Sequence, residues 1–172
     1  GVLVREVGTL YAAFAEGRPS PLPELPVQYA DYAAWQRRTL SGEALQREVA
    51  YWEAKLSGAP AVLELPIDKP RPAVRSTAGA TLSFTLPREL TEKLRGLGHH
   101  EGGSLFMVLL AGWQALLSRY TGQDDLSVGS PIAGRTRAET EGLIGFFVNT
   151  LVLRAKVEDG QSFRALLRQV RG

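Results

Sequence analysis

The chain has 172 residues, 44% hydrophobic and 22% charged, a balance that suits a domain with a buried core and excludes a disordered segment. Its net charge of +2 comes from arginines and lysines scattered along the chain, with no basic block for nucleic acid to track. The lack of cysteine excludes thiolate catalysis, disulfides and Cys-based zinc sites, and the longest apolar run, Leu105 to Leu117, is too short to span a bilayer.

Leu3, Val7, Leu10 and Phe14 recur at intervals of three and four and predict a helix with one apolar stripe, ended at Gly17. Pro19, Pro21, Pro23 and Pro26 then forbid helix and predict a stiff, extended linker. Helix resumes at Tyr29, with Tyr29, Tyr32, Ala33 and Gln36 on one side and Asp31 and Trp35 on another. After Gly42 a further helix carries Leu45, Val49, Trp52 and Leu56, and Gly58 and Pro60 stop it, so a helical hairpin is expected.

Pro66, Pro70 and Pro72 make the next connection extended. Ala80, Leu82, Phe84 and Leu86 alternate with Thr81, Ser83 and Thr85, the period of a strand. Pro87 opens a helix whose Leu90, Leu94 and Leu97 face inward, with Gly98 as its expected end. Ser104 caps a longer helix to Tyr120, apolar nearly all round at its start and therefore expected to lie buried between layers. Leu126, Val128 and a Gly129-Ser130-Pro131 bend suggest a short strand, and Arg135 to Glu141 an exposed charged loop. A turn at Asp159-Gly160 leads to a helix capped by Ser162, with Phe163, Leu166, Leu167 and Val170 inside. Strands and helices are mixed throughout, an α/β or α+β pattern. The chain starts without methionine and ends inside a helical pattern, so it reads as an excerpt of something longer.

The stretch Ile144-Gly-Phe-Phe-Val-Asn-Thr-Leu-Val-Leu-Arg154 joins a glycine-bearing turn to a strand and sets Asn149 and Thr150 among apolar neighbours. Buried polar groups cost about 1–3 kcal/mol each without a partner, so partners or a cavity are expected there. Beyond them Leu151, Leu153, Ala155 and Val157 share one face and Val152, Arg154 and Lys156 the other. The residues alone leave two readings open at Asn149, Thr150 and Arg154: polar groups that fix a bend beside a surface arginine, or the lining of a channel.

His99 and His100 are the two histidines of the chain, and a general base would be sought there first. They follow a glycine and precede Glu101-Gly102-Gly103, which predicts an exposed loop between helices, and Glu101 alone does not complete a metal site. Ser130 lacks the Gly-x-Ser-x-Gly spacing of a nucleophile elbow. Gly102-Gly103-Ser104 lacks a Walker lysine and reads as loop and cap. Tyr29, Tyr32 and Trp35 read as core before they read as a stacking face for a ligand.

Two stretches together, Tyr29-Ala-Asp-Tyr-Ala-Ala-Trp-Gln36 and Ile144 to Arg154, resemble the condensation domains of nonribosomal peptide synthetases. Tyr51-Trp52, Leu63 to Pro72, Leu105 to Gln123 and Pro131 to Arg135 resemble that family in order and spacing, so the likeness covers essentially the whole chain. It implies a chloramphenicol acetyltransferase-like architecture of two lobes with a tunnel between them. Residues 1–17 would end the N-terminal lobe, 18–76 would form the proline-rich crossing and helical hairpin, and 77–172 a truncated C-terminal lobe.

The implied activity is amide-bond formation between an acyl or peptidyl thioester and an aminoacyl thioester, both on carrier domains. A catalytically silent docking platform for carriers and a stand-alone acyltransferase using coenzyme A are the alternatives. The family's His-His-x-x-x-Asp-Gly motif is absent, since its Asp and Gly would fall on Ser104 and Leu105, and it is expected upstream of Gly1. The likeness places Gly145, Phe147, Asn149, Thr150 and Arg154 on the tunnel wall or in support of that motif, with Arg154 pairing with the motif's aspartate. It assigns Tyr29, Asp31, Tyr32, Trp35 and Gln36 to structural packing. It further implies no bound cofactor or metal, phosphopantetheine arms carried by partner domains, upstream and downstream carriers, an adjacent adenylation domain, no nucleic acid or membrane, and a cytoplasmic setting.

Overall fold

The computed structural model of the chain describes residues 1–70, 72–74 and 76–172. Its elements run α1 (Val2–Ala15), α2 (Tyr29–Thr39), α3 (Gly42–Leu56), α4 (Arg88–His100), α5 (Leu105–Thr121), β1 (Asp125–Ile132), a single 3-10 turn (Ala138–Thr140), β2 (Asn149–Lys156) and α6 (Phe163–Arg171). β1 and β2 pair as a two-stranded sheet. The chain divides into two compact units, one made of Gly1–Ser57 with Pro131–Leu151 and the other of Gly58–Ser130 with Val152–Gly172.

The second unit holds a core of Val108, Ala111, Ala155, Leu166 and Leu167, lined by Leu94, Leu97, Met107, Val157 and Val170. Three helices and β2 converge there because each offers one apolar stripe, and a fully buried leucine contributes about 1.5–3 kcal/mol by leaving water. Local chemistry sets the helix ends. Ser104 Oγ accepts from the Met107 amide at 3.3 Å, Ser162 Oγ from the Ala165 amide at 3.2 Å, and Gly122 closes α5 in a left-handed turn with φ of 70°. Gln123 carries the packing onto the proline-rich connection: its Oε1 accepts from the Glu64 amide at 2.8 Å and its Nε2 donates to the Val62 carbonyl at 3.2 Å.

Several expectations are corrected. The alternating run from Ala80 to Leu86 forms no strand and finds no partner strand among the described residues, leaving Leu82 and Phe84 89% and 81% exposed. Period two prepares a strand, but only a neighbouring chain supplies the ladder. α4 does not end at Gly98. It runs on to His100, and Gly98 is the point where α4 meets the start of α5, because a Cβ there would press on the Ser104 carbonyl and Val108.

α5 is not covered on all sides: Val108, Ala111, Gln114 and Leu117 are buried, while Phe106, Leu109, Trp113 and Leu116 face outward. β1 continues through the expected bend at Gly129-Ser130-Pro131. A proline is tolerated where its missing N–H faces away from the paired neighbour. Phe163 stays exposed on α6. α2 and α3 do not pack extensively against each other, and Leu45 and Val49 of α3 are exposed, so the predicted hairpin is two consecutive helices without a shared core.

Candidate functional site

In the first unit the turn before β2 is built against α2. Tyr29 Oη donates to the Phe146 carbonyl at 2.9 Å, and the Tyr29 ring lies so close to Gly145 that a Cβ would collide with it. Phe147 is buried, its ring 5.2 Å from Tyr29 in an edge-on contact and 4.8 Å from Tyr32. Such ring pairs add about 0.5–1.5 kcal/mol beyond burial. Trp35 joins this series through Tyr32, at 5.8 Å between ring centres, and Arg137 lies over the Trp35 ring at 4.4 Å. Trp35 therefore belongs with the tyrosines through i,i+3 spacing, and not on the side of Asp31 as the helical periodicity suggested.

Asp31 is exposed, and its Oδ2 accepts from the Gln28 amide at 2.8 Å, reaching back over the first turn of α2. Its oddity among aromatics is thus a helix-start function. Gln36 donates to Tyr32 Oη at 3.3 Å.

Asn149 and Thr150 are exposed, which corrects the reading of them as buried polar groups that fix a bend and leaves the other, the lining of a channel. Asn149 Oδ1 accepts from the Thr150 amide at 2.9 Å, a local bond that holds the amide side chain against the start of β2. The apolar neighbours that suggested burial are themselves turned out, with Ile144, Phe146 and Val148 exposed on alternate positions while Phe147 faces in.

In the second unit Arg154 is paired within the chain. Nε donates to Asp125 Oδ1 at 2.8 Å and Nη2 to Asp125 Oδ2 at 2.6 Å, a two-pronged contact between neighbouring strands. Hydrogen bonding to the guanidinium, opposed by desolvation, holds the Asp125 carboxyl below its ordinary range and raises the Arg154 guanidinium above its own. The aspartate expected to pair with Arg154 lies outside these residues; within the chain Arg154 thus has Asp125 as a partner. A cross-strand pairing of β1 and β2 was the signal that would have found it.

The His99-His100 pair sits in the last turn of α4, not in a loop, and both residues are exposed. The packed group beside them is Glu101, whose side chain is only 7% exposed; it lies 3.0 Å from Arg168 Nε and 3.3 Å from Arg164 Nη1. The Arg168 hydrogen bond leads the causes that lower its pKa. Among the described residues no group of three or more His, Asp or Glu side chains is placed to hold a metal, and no helix is long and apolar enough to cross a membrane.

The loop from Arg135 to Glu141 is exposed at Thr136 to Glu139, as expected, but sequence reasoning missed the inward turn of Arg135, the packing at Gly134 and the stacking of Arg137 on Trp35. Arg135 donates to the Thr140 carbonyl and, at 2.9 Å, to the Leu143 carbonyl.

The condensation-domain family model matches residues 1–172. The chain belongs to the condensation-domain family. It is 53% identical over 171 residues to a linear gramicidin synthase of Brevibacillus parabrevis, covering 99% of this chain and 3% of that protein. Among solved structures, the X-domain from teicoplanin biosynthesis aligns with a TM-score of 0.91 at 25% identity, over 99% of this chain and 39% of that one. The first condensation domain of the calcium-dependent antibiotic synthetase aligns with a TM-score of 0.76 at 29% identity, again over 99% and 39%. The fold is thus the α+β, chloramphenicol acetyltransferase-like fold of condensation domains, and the chain spans well under half the length of these solved relatives.

Proposed function

We propose that this chain is part of a condensation domain that joins carrier-borne thioesters in nonribosomal peptide synthesis. The observation that carries the reading is the condensation-domain match over residues 1–172. In the reaction the acceptor's free amine attacks the donor thioester carbonyl, a C–N bond forms, the C–S bond breaks, and the proton lost by nitrogen ends on the departing thiol. Tethering both substrates on carriers supplies much of the rate, since the encounter becomes intramolecular.

In this reading the proton is handled by a His-His-x-x-x-Asp-Gly motif supplied by the parent outside these residues. Gly145, Phe147, Asn149, Thr150 and Arg154 line the tunnel or support that motif. Tyr29, Tyr32, Trp35 and Gln36 brace the tunnel wall, and Asp31 holds the start of their helix. Residues 1–17 close an N-terminal lobe, 18–76 make the crossing, and 77–172 belong to the C-terminal lobe. The partners are upstream and downstream carriers with their phosphopantetheine arms and an adjacent adenylation domain, in the cytoplasm. Gly145 supports the bracing role given to Tyr29, because only a glycine fits beneath the Tyr29 ring at that approach.

The test is mass analysis of both carriers after loading the intact parent. The donor acyl group should move to the acceptor's amine, giving an extended chain on the downstream carrier. Loaded carriers that dock but stay unchanged would favour a silent platform, and transfer from coenzyme A with no donor carrier a stand-alone acyltransferase.

A further inference from the structure

The loop between β1 and β2 is gripped by Arg135, a residue to which the condensation reading gives no part. Arg135 donates to the Thr140 carbonyl and, at 2.9 Å, to the Leu143 carbonyl, while its guanidinium carbon lies 4.1 Å from the centre of the buried Phe147 ring. A planar fork can serve two carbonyls in its plane and an aromatic ring on its face at once, which no other side chain can do.

Gly134 completes the grip. Its φ is +64°, and a Cβ there would overlap the Phe147 carbonyl oxygen, so main chain rests on main chain at this point. From α2, Tyr29 holds the Phe146 carbonyl and closes over Gly145. Residues 145 to 147 are therefore fixed on both sides, and Asn149 and Thr150 follow within three residues. Any slip of Phe147 passes directly into them, because Val148 alone separates Phe147 from the start of β2 at Asn149.

We infer that Arg135 is a positioning residue for condensation, setting the register at which the chain enters β2 and so the placement of Asn149 and Thr150 toward substrate. The inference rests on the condensation reading for its chemistry, but its geometry stands on the loop alone.

The test uses the intact parent synthetase with its own carriers and the variants Arg135→Lys and Arg135→Met. Lysine keeps the charge and the aliphatic stem but offers a point donor in place of the fork. Maximal condensation rate should fall about tenfold or more in Arg135→Met and several-fold in Arg135→Lys, with KM for the acceptor carrier changed less than about twofold. Amide hydrogen exchange over residues 143–150 should quicken in both, while α5 exchanges as before.

A wild-type rate in Arg135→Lys overturns the inference. So does a rate loss in Arg135→Met that only tracks a loss of folded protein, or unaltered exchange over 143–150 in the folded Lys variant. If the wild-type parent itself transfers no acyl group, the condensation reading fails, whereas the exchange measurement still decides whether Arg135 holds the loop.

Discussion

Arg154 closes both prongs of its guanidinium on the Asp125 carboxylate, at 2.8 and 2.6 Å, with the two side chains only 17% and 14% exposed. The pair ties β2 to β1 at the edge of the core. Because the Asp125 carboxyl is held below its ordinary value of 3.8, its contribution to stability is complete above that value and is lost as pH falls through the depressed one. Asp125→Asn should therefore lower the unfolding midpoint of the intact domain at neutral pH, and the gap to wild type should shrink below about pH 4. A gap that stays constant from neutral pH into strong acid would show that the carboxylate charge contributes nothing.

Arg154→Lys should be costly in the same way, since an ammonium replaces a fork that matches the carboxylate. The Asp125→Asn and Arg154→Lys changes should also be non-additive, the second adding little once the first has been made. Strict additivity in chemical denaturation would mean that the contact in the structure carries no coupling.

Gln114 is 1% exposed inside α5; its Nε2 donates to the Leu153 carbonyl at 3.2 Å, and its Oε1 has no hydrogen-bond partner among the described residues. Truncation and polar loss pull in different directions here. Gln114→Ala opens a cavity and removes the bond, so it should cost about 2–4 kcal/mol, whereas Gln114→Leu fills the space and removes the unsatisfied oxygen and should cost about 1 kcal/mol or less. Equal losses by urea denaturation would indicate that the hydrogen bond, and not the volume, is what matters.

Glu101 joins the end of α4 to α6: its carboxylate meets Arg168 and Arg164, and its carbonyl accepts from Arg171 Nη1 at 3.0 Å. Glu101→Gln keeps the shape and removes the charge. Amides of residues 163–171 should then exchange faster at neutral pH. Since the Glu101 pKa is lowered from 4.5, wild type should approach the variant's behaviour only as pH falls below that value. Identical protection of α6 at neutral pH in both proteins would refute this.

Leu82 and Phe84 stand almost wholly in water on a segment with strand-like alternation and no secondary structure of its own, a surface that invites pairing with another strand. Prepared as the 172-residue piece, the chain should bind a hydrophobic dye and self-associate, and Leu82→Ser with Phe84→Ser should reduce both. Monodisperse, dye-silent behaviour of the unmutated piece would show that the segment is covered in solution.

The periodic and capping signals were legible because they are local. The stripes of α1, α3 and α6, the serine caps at Ser104 and Ser162 and the stop at Gly122 depend on residues within a turn or two of each other, and the backbone obeys them without outside help. The resemblance carried by Tyr29 to Gln36 and Ile144 to Arg154 was equally a property of the letters, and it fixed the family.

What the sequence alone left undecided is where partners come from. An alternating run at residues 80–86 becomes a strand only beside another strand, and β1 runs through Pro131 only because β2 lies next to it. Asp125 reaches Arg154 across 29 residues, and Arg135 turns from solvent to two carbonyls and the Phe147 ring. Such contacts are set by chain return, where distant segments compete for the same donors and the same buried area, and no window of neighbouring residues contains that information.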